Sequence, residues 1–276
     1  MIISHRHRFI FIHCRKTGGS SIARALAPHL GPDDIHLGTW PEAYKTGVRM
    51  NRRAHRDLLR PSALLSLLTR LARRPTRAMQ RDYQVHAMNG AQRFPYRSAL
   101  GQSPEHPNAE ALARFAPAAW MQYFKFCFVR NPYDRAWSDY RWRSQKYPNT
   151  GLSFRQFLSA IRQRDYSNKI IPKQFDNWPM YTLNNQIAVD FVGRFEQFEQ
   201  DLQSVFARLG LPLTSIPHEK QTDAARPSSL IYGTQESQLI EQIFAREIEY
   251  FDFAPPAPKN LPMSDSAGQL RNEVTR

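Results

Sequence analysis

The run Phe9-Ile10-Phe11-Ile12-His13-Cys14-Arg15-Lys16-Thr17-Gly18-Gly19-Ser20-Ser21 restricts the fold more than any other part of the chain. Phe9 to His13 is apolar and short, the pattern of a buried strand. A loop over 15–19 follows. Ser20-Ser21-Ile22-Ala23-Arg24-Ala25-Leu26 then reads as a helix entered through a hydroxyl cap. A strand that turns into a helix in this way aims several backbone N–H groups at one point, and the helix N-terminus adds partial positive charge there. Such a point suits a phosphate. Gly18 and Gly19 allow close backbone approach, Thr17, Ser20 and Ser21 offer hydroxyls, and Lys16 supplies a full charge. The nucleotide-triphosphatase form of this loop needs glycine six and one residues before its lysine. Ile10 and Arg15 occupy those positions, so that form is excluded. A tight turn that binds nothing is the plain alternative.

A second motif lies at Phe126-Cys127-Phe128-Val129-Arg130-Asn131-Pro132-Tyr133-Asp134-Arg135-Ala136-Trp137-Ser138. The aromatic run 124–129 predicts a strand, and Asn131-Pro132 opens a helix over about 133–145. Arg130 leaves the strand end and Ser138 sits about two helical turns on, a spacing that can bring a guanidinium and a hydroxyl to one phosphate. Taken alone, Arg130 could equally cap the helix or pair with Asp134.

Further elements follow the same signals. Helices are expected around Leu64, Leu67, Leu68 and Leu71, which fall at i, i+3, i+4 and i+7, and over about 108–115. Three more are expected: after Ser153 with Phe154, Phe157, Leu158 and Ile161 on one face, through Leu202–Leu209 to a stop at Gly210, and over about 236–250. Residues 190–193 resemble a short third strand, whereas 31–44 and 88–108 read as loops rich in Gly and Pro. Strands alternating with helices predict an α/β fold whose central, mainly parallel sheet has helices on both faces. Residues 1–255 are read as one domain with a basic helical insertion at about 45–85, and 256–276 as a polar, disordered tail.

Charge is concentrated. Residues 45–81 hold eleven Lys and Arg against Asp57 alone, which is +10 of a formal net charge of +14. That field draws an anionic partner, and composition does not choose between a nucleotide, an acidic glycan, a lipid headgroup and nucleic acid. Two cysteines, Cys14 and Cys127, are too few to staple 276 residues. Their place beside buried strands fits a reducing compartment, so a cytoplasmic location is expected. The apolar run after Arg8 is too short for a signal sequence, and no run is long enough to span a bilayer.

Lys16-Thr17-Gly18-Gly19-Ser20-Ser21 after an apolar strand resembles the 5′-phosphosulfate loop of carbohydrate sulfotransferases dependent on 3′-phosphoadenosine 5′-phosphosulfate (PAPS). The bacterial type and the Golgi heparan and chondroitin enzymes are the nearest kin. Arg15 stands where bacterial members often carry Pro, and Ser20 where Thr is frequent. Arg130 and Ser138 resemble the pair that holds the 3′-phosphate in that family. Segments 191–196 and 245–251 look like scaffold common in bacterial members, and the basic segment is outside the resemblance. The resemblance implies a sulfotransferase fold with a P-loop-like parallel sheet, PAPS as co-substrate, and a hydroxyl acceptor on a carbohydrate or glycolipid.

Sulfuryl transfer needs positive charge at the departing phosphate, a role Lys16 can fill, and a base for the acceptor hydroxyl. Among nine histidines, His106 lies upstream of the Arg130 strand much as the family's catalytic histidine does, with His86 in reserve. His55 reads as a surface residue and His13 as structural, and Lys220 beside His218 is a further candidate for a cofactor phosphate. No metal ligand set is expected, since Cys14 and Cys127 have no partners at ligand spacing. The basic segment reads as a solvated helical pair, an attractor for an acidic acceptor, or a surface that rests on an anionic membrane. Nucleic acid is not an expected partner under the enzymatic reading. Two rivals stay open: a non-catalytic polyanion-binding module using aromatics such as Tyr140 and Trp142, and a kinase-like phosphoryl transferase.

Overall fold

A computed structural model of the chain describes residues 1–213 and 233–256. Its centre is a five-stranded sheet in which β1 (Ile2–Ser4), β2 (Phe9–Ile12), β3 (Ile35–His36), β4 (Phe124–Val129) and β5 (Phe191–Arg194) lie in the order β3-β1-β2-β4-β5. The pairs β2–β4 and β4–β5 are parallel, with Phe11 opposite Phe126 and Phe126 opposite Phe191. β1 and β3 extend the sheet antiparallel on one edge. The parallel part is therefore the part that carries the motifs.

Alternation along these strands decides which side chain faces which layer. Phe9, Phe11, Phe126 and Phe128 pack on one face with Ile22 and Leu26 of α1 (Gly19–Leu26) and with Leu202, Val205 and Phe206 further along the chain. Ile10, Ile12, Cys14, Cys127 and Val129 pack on the other face with Leu112 and Trp120. Both faces are covered, which is why these strands read as continuous apolar runs rather than alternating ones.

Eight further helices matter here: α2 (Arg52–Leu58), α3 (Pro61–Ala72), α4 (Arg81–Gln92), α5 (Ala109–Phe115), α6 (Pro132–Lys146), α7 (Phe154–Gln163), α8 (Phe198–Leu209) and α9 (Thr234–Phe251). Ser153 caps α7 through a full capping box with Gln156, and α8 ends at Gly210 in the left-handed conformation. Helices α6, α7 and α9 share a core of Tyr133, Phe157, Leu158, Ile161, Ile240 and Phe244. The buried Arg135 guanidinium grips the buried Glu247 carboxylate between α6 and α9, and the Tyr181 hydroxyl donates to the same carboxylate at 2.7 Å.

Three local expectations are corrected. Helix α1 begins after Gly18, whose φ of 80° makes it the cap, so no Ser20 hydroxyl caps it. The stretch 31–44 contains β3 and a short helix Trp40–Tyr44 that starts with Pro41 in its first turn, where the missing N–H is harmless. The stretch 88–108 is helical as far as Leu100 and irregular, as expected, only over 101–108. α4 runs to Gln92, a single 3₁₀ turn and the short helix Arg97–Leu100 follow, and Gly90 is a contact point rather than a breaker. A Cβ there would stand 2.7 Å from the Arg70 guanidinium. The expected helix around Leu64–Leu71 is α3, with Leu67 and Leu71 half-buried and Leu67 packed on the core of Trp40, Met50 and Leu58. Ala63 and Ser66 are buried, and Leu64 and Leu68 are exposed. The expected tail from 259 and the pair His218–Lys220 lie outside the described residues.

Candidate active site

The three parallel strands end on the same side of the sheet, and in open α/β sheets ligands bind outside those carboxyl ends. The loop after β2 is held in an unusual shape. Lys16 has φ 62° and Gly18 φ 80°, so two residues of this turn occupy left-handed backbone space. For a lysine that conformation costs roughly 1–2 kcal/mol and needs support from its surroundings.

The support is visible. The buried Asn177 side chain clamps the preceding residue from both sides: its Oδ1 accepts from the Arg15 N–H and its Nδ2 donates to the Arg15 carbonyl, each at 3.0 Å. The Arg15 guanidinium donates to Gln174 at 2.6 Å. The Thr17 hydroxyl donates to the Cys14 carbonyl at 3.0 Å, so its proton is engaged in shaping the loop. Gly19 has no room for a side chain, because a Cβ would fall 2.0 Å from the His13 ring. Beyond the loop, the first N–H groups of α1 lack intrahelical acceptors by the geometry of any helix start.

Arg130, at the end of β4, reaches this loop. Its Nη1 donates to the Lys16 carbonyl at 3.4 Å, and its guanidinium lies over the Phe195 ring, 4.3 Å from the centroid. The pairing with Asp134 that the sequence left open is not what holds it. Phe195 also bounds Gly18, so one aromatic ring just past β5 supports both motifs. Ser138 lies on α6, half-buried, and no hydrogen bond among the described residues joins it to the loop. Ser20 and Ser21 sit in the first turn of α1.

His106 is brought to the same place from the other side. Its Nδ1 bonds to the His13 carbonyl at 2.6 Å, and the two imidazoles meet edge to face at 4.6 Å. A carbonyl oxygen can only accept, so Nδ1 carries the proton and Nε2 presents a lone pair. Burial, then the charge of Arg15, hold the His106 imidazole well below the usual histidine range. Burial, then His106, do the same for His13. His86 is exposed on α4 and His55 exposed on α2, and neither bonds to the loop.

Sequence reasoning missed Asn177, read Phe195 only as scaffold within 191–196, and named Trp142 only for the polyanion-binding rival. Trp142 of α6 is 39 % exposed, and the Lys16 and Lys146 ammonium groups stand 5.4 Å and 4.8 Å from its ring centroid. A cavity is lined by Arg15, Lys16, Asp139, Phe157, Phe175 and Phe244. Among the described residues no cluster of three or more His, Cys, Asp or Glu is placed to hold a metal.

A model of the sulfotransferase family matches residues 1–254, which takes in both motifs, His106 and the whole sheet. The chain belongs to the sulfotransferase family. Over 93 residues it is 37% identical to an uncharacterised protein of Archaeoglobus fulgidus, a match that spans 33% of this chain and 70% of that protein. It also aligns with the crystal structure of a sulfotransferase from Alicyclobacillus acidocaldarius at 17% identity and a TM-score of 0.44, covering 90% of this chain and 96% of the other. The family match extends across the basic segment, which the sequence resemblance left uncovered.

Proposed function

We propose that this sulfotransferase moves a sulfuryl group from PAPS to a hydroxyl of a carbohydrate or glycolipid. The observation that carries the reading is the Arg130 contact with the Lys16 carbonyl, which draws two cationic motifs, 114 residues apart, to the carboxyl ends of β2 and β4. A donor with phosphates at both its 5′ and 3′ positions matches two such grips, whereas a single-phosphate ligand matches one. In this reading the loop Lys16, Thr17, Gly18, Gly19, Ser20 and Ser21 takes the 5′-phosphosulfate, and Arg130 with Ser138 takes the 3′-phosphate. The acceptor oxygen bonds to sulfur, the bond from sulfur to the bridging phosphate oxygen breaks, and 3′-phosphoadenosine 5′-phosphate (PAP) leaves. Lys16 offsets the charge that grows on the leaving oxygen.

His106 takes the acceptor proton at Nε2. Its Nδ1 bond to the His13 carbonyl sets the tautomer that leaves this nitrogen basic. The depressed imidazole keeps it unprotonated at neutral pH. Trp142 supports a sugar acceptor, since a half-exposed indole beside the reacting lysine offers a flat apolar face to a pyranose. The test is transfer of label from PAPS across a panel of hydroxylated glycans and glycolipids, together with thermal-shift titrations. PAP is expected to stabilise the protein without Mg²⁺. Stabilisation by ATP with Mg²⁺ and not by PAP would replace this reading with phosphoryl transfer.

A further inference from the structure

Helix α3 sends only part of its leucine content inward, Leu67 packing on the core of Trp40, Met50 and Leu58. It turns its small residues Ala63 and Ser66 toward the protein, at 0% and 8% exposure, and sends Leu64, Leu65 and Leu68 outward at 42%, 68% and 56%. At 100° per residue these three leucines lie within about 100° of one another, so they form one apolar strip. Leu59 before the helix and Met79 further along the segment are also exposed, to 74% and 87%. The inner face has a steric reason to be small. The Arg70 guanidinium presses on Gly90 of α4, and the Tyr83 hydroxyl donates to the Arg70 carbonyl at 2.5 Å, so the two helices approach closely. Nothing comparable explains leucine on the outside.

The ends of this strip are cationic. Arg60 precedes it with its side chain 47% exposed, and Arg56, 56% exposed, is paired with Asp33 at 3.1 Å. Arg73, Arg74, Arg77 and Arg81 follow it, exposed and without a carboxylate partner among the described residues. The acid within the segment, Asp57, is buried under Arg53 and Arg60, and Asp82 is the next along the chain.

We infer that α3 and its flanking arginines form a docking surface for an anionic lipid bilayer, with Leu65 and Leu68 entering the acyl boundary. A polyanion such as nucleic acid or an acidic glycan would use the arginines and gain nothing from the leucines. A second copy of this chain would bring another +14 against the same cationic face. Exposed apolar side chains on a helix flanked by Arg match a membrane interface, which meets both needs without a shaped partner. The inference is independent of the reaction chemistry and is tested without a sulfuryl donor.

The full chain is sedimented with vesicles of phosphatidylcholine alone and of phosphatidylcholine mixed with phosphatidylglycerol. Binding is expected to the mixed vesicles only. The double variant Leu65→Gln/Leu68→Gln should lower partitioning about tenfold or more, because each buried leucine contributes strongly to transfer. Both positions are exposed and glutamine is a good helix former, so its melting temperature should match wild type. Reversal of Arg73, Arg74 and Arg77 to Glu should abolish binding. Wild-type affinity in the leucine variant would overturn the proposal in favour of a purely electrostatic surface. So would absence of vesicle binding, or a concentration-dependent dimer that the leucine variant dissolves.

Discussion

Because the His13 carbonyl can only accept, the 2.6 Å contact to His106 Nδ1 does two jobs: it fixes the ring and it leaves Nε2 basic. A general base removed from an otherwise intact site typically lowers the rate about 10²–10⁴-fold. His106→Ala is therefore expected to lose turnover in that range while PAP affinity is kept, since the base faces the acceptor. His86→Ala, at an exposed position of α4, should be near wild type in both. Loss of turnover in His86→Ala with a normal His106→Ala would move the base to His86. Arg130 calls for a different readout. Replacing it with Ala removes a charge-assisted bond worth roughly 1.5–3 kcal/mol, and the loss should show for PAP and not for adenosine 5′-phosphosulfate, which lacks the 3′ group. Equal weakening of both ligands would mean that Arg130 acts through the Lys16 carbonyl it touches, shaping the loop rather than binding the 3′-phosphate.

The loop after β2 depends on an element far from it in sequence. Asn177→Ala strips both hydrogen bonds from Arg15 and leaves its N–H and carbonyl in a partly buried site, for a cost of about 1–3 kcal/mol. Urea denaturation should show that loss. PAP should also bind more weakly, because the left-handed Lys16 then loses its neighbour's clamp; unchanged PAP affinity would show that the loop keeps its shape unaided. Asn177 had no signature in the sequence, since its partner is 162 residues away. What could be read were the elements whose chemistry is local: β2 and β4 as apolar runs buried on both faces, the Ser153 cap of α7, and the Gly210 stop of α8. Arg130 and His106 could be singled out by order along the chain, but their meeting with the Lys16 loop depends on strand pairing. Helix α3 was legible by its period, but its burial was not: Ala63 and Ser66 are buried and Leu67 packs on the core, while Leu64, Leu65 and Leu68 are exposed. Gly90 misled as a breaker, since it lies within α4 against the Arg70 guanidinium rather than in a turn.

At the scale of the whole molecule, buried His13 and His36 and half-buried His106 are held neutral, and burial lowers His29 as well. Burial lowers His36 to about 3, and burial also holds His13 and His106 well below the usual value of 6.5. The unfolded chain binds a proton at each of them near pH 6.5 while the folded chain does not. Falling pH therefore favours the unfolded state, and stability drops from about pH 6.5 downward until each folded value is reached. Each such group contributes a slope of about 1.4 kcal/mol per pH unit, so His13, His36 and His106 together approach about 4. Glu247 works the other way, because burial raises its carboxyl and the folded state takes up a proton there first as acid is added. The Arg135 pair and the Tyr181 hydroxyl restrain that rise, which leaves the histidines in control above the carboxylate range. Urea midpoints measured stepwise from pH 7.5 to about 5.5 should thus fall continuously, with unchanged m-values. Saturating PAP should raise the curve throughout by mass action if the site binds it in the folded state alone. A flat profile over that interval would mean that His13 and His106 take up protons without leaving the fold. The neutral Nε2 assigned to His106 would then be lost.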